Sequence, residues 1–166
     1  MIQYSSALSA APPMFRNASR LSFRMFTMLA VAVVMMVATQ LAQAGQFFER
    51  GGVAIDGYDP VAYFTDNKPV KGKAEWQATY GDSVFHFSSA EHRDLFAADP
   101  ARYAPQFNGF CAYGVSQGAK VKIEGDLWAV VDGKLYLNYD ESVQETWNED
   151  RPGYIKQAEQ KWPGLK

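Results

Sequence analysis

Cys111 is the only thiol in the 166-residue chain, set in Gly109-Phe110-Cys111-Ala112-Tyr113-Gly114. The two histidines, His86 and His92, lie upstream in Phe85-His86-Phe87-Ser88-Ser89-Ala90-Glu91-His92-Arg93-Asp94-Leu95-Phe96. A solitary cysteine cannot close an internal disulfide, so it serves as a small buried hydrophobe, as a metal ligand, or in thiol chemistry with another molecule. Cys111, His92 and His86, completed by a carboxylate such as Glu91 or Asp59, would offer the sulfur, nitrogen and oxygen donors that zinc or copper accepts. No close-spaced pair such as Cys-x-x-Cys accompanies them. A Cys111–histidine pair could instead act as nucleophile and base, but the spacing names no third group to orient the imidazole. Disulfide exchange would need a resolving cysteine, which is absent. Each residue also has a purely structural use: His92 satisfied on a helix stripe, His86 exposed on a strand, Cys111 buried between Phe110 and Ala112.

The elements that must position these side chains follow from period and punctuation. Ala54–Phe64, with Gly57 and Pro60 around an aromatic-rich segment, reads as a turn followed by a short strand. Glu75–Tyr80 and Ser83–Phe87 flank Gly81-Asp82, whose leading glycine suits a type II′ hairpin. Alternation puts Val84 and His86 on one face of that strand and Phe85 and Phe87 on the other. Ser88-Ser89-Ala90-Glu91 has the form of a capping box, predicting a helix to about Ala98 with His92, Leu95 and Phe96 on its inner stripe. A short helical turn is expected over Ala101–Ala104, whereas Phe107–Gly114 is too irregular to assign by period. Asp132-Gly133 between Leu127–Val131 and Lys134–Tyr139 is the strongest hairpin signal in the chain. Asp140 caps a helix through Trp147, and Pro152 opens a last one with Tyr154, Ile155, Ala158 and Trp162 as its stripe. These elements predict an α+β domain: a small antiparallel sheet of hairpins, packed by a central helix and two C-terminal helices.

The first 44 residues carry Arg16, Arg20 and Arg24, no acid, an apolar run from Met25 to Val37, and Ala42-Gln43-Ala44 before Gly45. This is the pattern of a cleaved secretory signal, and the run falls short of the ~18 apolar residues a spanning helix requires. Residues 1–44 are therefore read as a signal peptide and residues 45–166 as one domain, periplasmic or secreted, touching a membrane only through that signal. Three of the 16 basic residues fall in the signal and none of the 18 acids does. The remainder is net acidic with no basic cluster, which excludes nucleic-acid backbone binding. All six methionines also lie within the signal, so the domain has no thioether to offer a soft metal. The aromatic group Tyr58, Tyr63, Phe107, Phe110 and Tyr113 could line a small-molecule pocket or fill a core.

Asp59-Pro60-Val61-Ala62, followed by Phe87-Ser88-Ser89-Ala90-Glu91-His92 and then Phe96, Pro100 and Tyr103, resembles the YHS domain family. That family's core reads Asp-Pro-Val-Cys near its start and Phe-Cys-Ser-x-x-Cys-x-x-x-Phe-x-x-x-Pro-x-x-Tyr near its end. The likeness covers about residues 54–104, and the stretches Asn108–Tyr113 and Leu135–Tyr139 are similar to stand-alone exported members. It implies a small domain found beside heavy-metal transport ATPases and in some hydroxylases, presumed to bind a metal such as copper through cysteines, with a metal-transport or redox partner. Here Ala62, Ser88 and His92 stand at the three cysteine positions. The resulting expectation is a non-enzymatic binding module with copper- or zinc-like metal handling through Cys111, His92 and His86. The alternative is a thiol-dependent enzyme or redox partner using Cys111 with a nearby histidine.

Overall fold

Strand pairing begins earlier than the sequence pattern suggests. In the computed structural model, which describes residues 46–166, β1 (Glu49–Arg50) and β2 (Val53–Ala54) pair antiparallel across Gly51-Gly52. Two-residue strands are too short to display a period, so this hairpin was not foreseen. The expected signal, residues 1–44, lies outside the described residues. β3 (Lys73–Tyr80) and β4 (Ser83–Phe87) form the second hairpin, and β5 (Glu124–Val131) and β6 (Lys134–Asn138) the third. At both connections the two central residues have positive φ: 56° and 59° at Gly81 and Asp82, 51° and 72° at Asp132 and Gly133. That is the requirement of a type I′ turn, so Gly81-Asp82 departs from the expected type II′. The fold is α+β, but its strands make three separate two-stranded antiparallel sheets rather than one.

Helices fill the intervals. α1 (Ala62–Thr65) stands where a short strand was expected, because the Asp59 carboxylate accepts from the amides of Val61 and Ala62 and starts a helical turn instead. α2 (Ala90–Ala98) is capped by Ser89, whose Oγ accepts from the His92 amide at 3.2 Å, one residue later than the Ser88-to-Glu91 box predicts. Asp99 ends it and caps α3 (Pro100–Tyr103). α4 (Ala112–Ser116) follows Cys111, α5 (Glu141–Glu149) is capped by Asp140, and α6 (Arg151–Lys161) is capped by Asp150 with Pro152 in its first turn. Among the described residues no helix is long and apolar enough to cross a membrane.

β6 organises the interior because both its faces are covered. Its alternation sends Leu135 and Leu137 into one apolar cluster with Ile55, Val61, Tyr63, Phe85, Phe87 and Phe96, while Tyr136 joins a second with Phe107, Val115, Trp147 and Ala158. Phe96 brings α2 onto β4, its ring 5.0 Å from Phe85 and 5.1 Å from Phe87. Leu95, expected on the same stripe, is exposed. The aromatic group of the sequence is divided: Tyr63 belongs to the first cluster and Phe107 to the second, with Tyr58, Tyr113 and Phe110 packed around them.

Two left-handed turns meet at the centre. Ile55-Asp56-Gly57 has φ of 45°, 56° and 72°, and Phe107-Asn108-Gly109 has 53°, 51° and 75°. A β-branched residue in this region costs roughly 1–2 kcal/mol, a cost offset here by complete burial of Ile55. The turns are stitched through Phe48, whose amide donates to the Asn108 carbonyl at 2.8 Å and whose carbonyl accepts from the Ile55 amide at 2.9 Å. A Cβ at Gly109 would lie 2.7 Å from Ile55 Cγ2, so only glycine permits the approach.

Candidate functional site

Asp59 has no solvent exposure, and five donors converge on its carboxylate. Oδ1 accepts from the amides of Val61 at 2.9 Å and Ala62 at 3.3 Å. Oδ2 accepts from the Ser88 amide at 2.8 Å, the Ser88 hydroxyl at 2.7 Å and His92 Nδ1 at 2.7 Å. Local sequence explains each part. Proline after Asp59 tightens the turn that delivers the Val61 amide, and Ser88 and His92 are presented together where β4 runs into α2. The carboxylate thereby ties the loop before α1 to the junction of β4 and α2, and each of these five donors finds an acceptor.

The same contact fixes the imidazole. An acceptor-only carboxylate places the ring proton on Nδ1, so the neutral ring carries its lone pair on Nε2. Nε2 lies 3.3 Å from Thr65 Oγ1 and 3.8 Å from Asp66 Oδ1, and the side chain keeps 13 % of its surface exposed. Thr65 Oγ1 is in turn 2.9 Å from Asp66 Oδ1 and 3.2 Å from the Val61 carbonyl. One nitrogen and two oxygens from the end of α1 and the start of α2 thus form a small triangle at the surface, with the buried carboxylate behind it.

Cys111 has different surroundings. It is 1 % exposed, its thiol faces Asn138 Oδ1 at 3.7 Å, and its sulfur accepts from the Gly114 amide at 3.4 Å. Burial pushes the thiol above its ordinary range, against the smaller downward pull of backbone donors from Gly114, Tyr139 and Tyr113. A buried thiol with a raised pKa is a weak nucleophile. Its partner Asn138 is fully buried, and Asn138 Nδ2 has no partner among the described residues. His86 sits on β4 opposite Gln77, on the face away from Phe85 and Phe87, with its ring near Gly57. Glu91 is exposed in the first turn of α2.

The structure therefore joins His92 to Asp59 and does not gather Cys111, His92 and His86. Among the described residues no three His, Cys, Asp or Glu side chains are grouped so as to hold a metal ion. The reason is topological: Cys111 caps α4 against β6, whereas His92 opens α2 against the loop at Asp59 and His86 projects from the other side of β4. Ser88 and His92 do meet, and Asp59 closes around them. Thr65 and Asp66 were not singled out from the sequence, since both lie in a stretch with the composition of an exposed connection. The available signal was Asp59-Pro60-Val61, a spacing at which an aspartate accepts from the amide two residues on. The chain matches no protein-family model, no curated protein and no solved structure.

Proposed function

We propose that this chain is an exported, non-enzymatic binding module of YHS type whose cargo is a divalent transition-metal ion taken at His92. The observation that supports this reading is the 2.7 Å contact of Asp59 Oδ2 with His92 Nδ1, because a buried carboxylate on one ring nitrogen orients the other as a ligand. His92 Nε2, the Asp66 carboxylate and the Thr65 hydroxyl would supply the protein donors. A single imidazole with two oxygens suits zinc or copper(II) better than copper(I), which favours the thiolates this site has lost. Few protein donors leave positions open for a metal-transport partner, which fits transfer better than storage. The thiol-dependent alternative has less support, since Cys111 is buried and its thiol is pushed up.

Equilibrium dialysis of the purified protein against zinc and copper(II) tests the reading. Wild type and Cys111→Ser should take up the ion equally, Asp66→Asn should bind roughly tenfold more weakly, and His92→Ala should not bind, in line with the loss of a ligand. Equal uptake by wild type and His92→Ala would overturn it.

A further inference from the structure

A second site lies away from His92, where the left-handed turn Phe107-Asn108-Gly109 meets the end of α6. A cleft of about 310 Å³ is lined there by the rings of Tyr80, Phe107 and Trp162 and by the polar side chains of Gln106, Asn108 and Glu159. An adjoining lobe of about 380 Å³ shares Asn108 and Trp162 with it. Volumes of this size hold small ligands, and aromatic walls with a few convergent polar groups are their usual lining.

Among the described residues the fold leaves much of this polar capacity unused. Among the described residues neither the Gln106 amide nor the Tyr80 hydroxyl has a hydrogen-bond partner, and Asn108 spends only Nδ2, donated to the Gln46 carbonyl at 2.9 Å. Glu159 has one distant neighbour, Lys134 Nζ at 3.7 Å, and both side chains are half-exposed. Asn108 is itself held in place by positive φ and by its carbonyl's bond to the Phe48 amide.

From these groups we infer that the cleft binds a saccharide. Aromatic rings such as that of Trp162, which Lys120 Nζ also approaches to 5.7 Å from its centroid, match the apolar C–H face of a pyranose, while two amides, a phenol and a carboxylate supply the mixed donors and acceptors that neighbouring hydroxyls require. Competing chemistries fit less well. A phosphate-bearing ligand would meet the Glu159 carboxylate in the cleft, since Lys120 and Lys166 line only the adjoining lobe, and a purely apolar one would leave Gln106, Asn108 and Glu159 desolvated without partners. An organic cation would use the rings and Glu159 but neither amide.

The test is a titration of the purified protein with cellobiose, maltose and diacetylchitobiose at millimolar concentration, with choline as the cationic control, followed by NMR of the tryptophan indole and side-chain amide protons. At least one disaccharide should give saturable shifts at the Trp162 indole and the Gln106 or Asn108 amide. Trp162→Ala should weaken that binding about tenfold, as expected of an aromatic anchor. Because Trp162 also packs on Phe107 at 5.9 Å, Glu159→Gln provides a second variant at an exposed position that retains the fold and should weaken binding several-fold. No saturable shift with any of the three sugars overturns the inference, as does a response confined to choline or one unaltered in both variants. Metal uptake at His92 is independent of every one of these outcomes.

Discussion

Asp59 and His92 are joined at 2.7 Å although 33 positions separate them in the chain, and the carboxylate in that contact is fully buried. The bond does two jobs: it aims the imidazole, and it closes a loop whose other donors have nowhere else to go. Replacing Asp59 by Ala would strand the amides of Val61, Ala62 and Ser88 and leave the Ser88 hydroxyl only His92 Nδ1, 3.2 Å away. Loss of about 3–5 kcal/mol in urea unfolding is expected, the range for removing one partner of a buried polar network. His92→Ala, which leaves the carboxylate its four other donors, should cost clearly less. Equal losses for the two variants would contradict the hub role assigned to Asp59.

Cys111 makes a prediction about pH. Its folded thiol is pushed up, chiefly by burial, while the unfolded thiol titrates near the usual value of about 8.5. Below that pH both states hold the proton and the contribution to stability is complete. As pH rises above it the unfolded chain releases a proton that the folded chain retains, so stability falls. Tyr136, pushed up to about 12 by burial, adds a loss of the same sign at pH above about 10. The stability difference between wild type and Cys111→Ala, about 1 kcal/mol at neutral pH, should therefore shrink by pH 10. A difference constant across that range, or rapid alkylation of the native thiol at neutral pH, would count against a buried sulfur.

Gly125 on β5 lies beneath the Tyr58 ring, and the Tyr63 hydroxyl donates to its carbonyl at 2.8 Å. A methyl group at this position would run into that ring, whose hydroxyl is also held by Asp126 Oδ1 at 2.9 Å. Gly125→Ala should cost about 1–3 kcal/mol by overpacking. Tyr58→Ala in the same background should recover part of that loss by making room, and a strictly additive pair would show that the ring is not the obstacle.

Phe96 is the aromatic that holds α2 to the second hairpin, 1 % exposed and in contact with the rings of Phe85, Phe87 and Tyr80. Truncation to alanine should cost about 3–5 kcal/mol in chemical denaturation. Leu95→Ala, one residue away on the exposed side, should change stability by no more than about 0.5 kcal/mol.

What could be read in advance follows from the range of the interactions involved. The hairpins at Gly81-Asp82 and Asp132-Gly133, the Asp140 cap and the stop at Asp99-Pro100 are decided within a few residues, so their types and spacing suffice. Alternation likewise assigns Phe85 and Phe87 to the core and His86 to the other face. A turn ahead of Asp59 was legible, but the left-handed conformation of Ile55 and Phe107 was not, because isoleucine and phenylalanine ordinarily avoid positive φ; tertiary burial forces them there. The partner of His92 was equally hidden: Asp59, Glu91 and Cys111 are all plausible by type, and only the path of the loop into α1 selects the first.

The division of the strands into three separate ladders has a consequence for how the molecule tolerates change. A register error or an inserted residue in one hairpin has no neighbouring strand through which to spread, so it stays private to that hairpin. What joins the three is the shape of interlocking rings in the shared interior, and drift there would be felt in every hairpin at once.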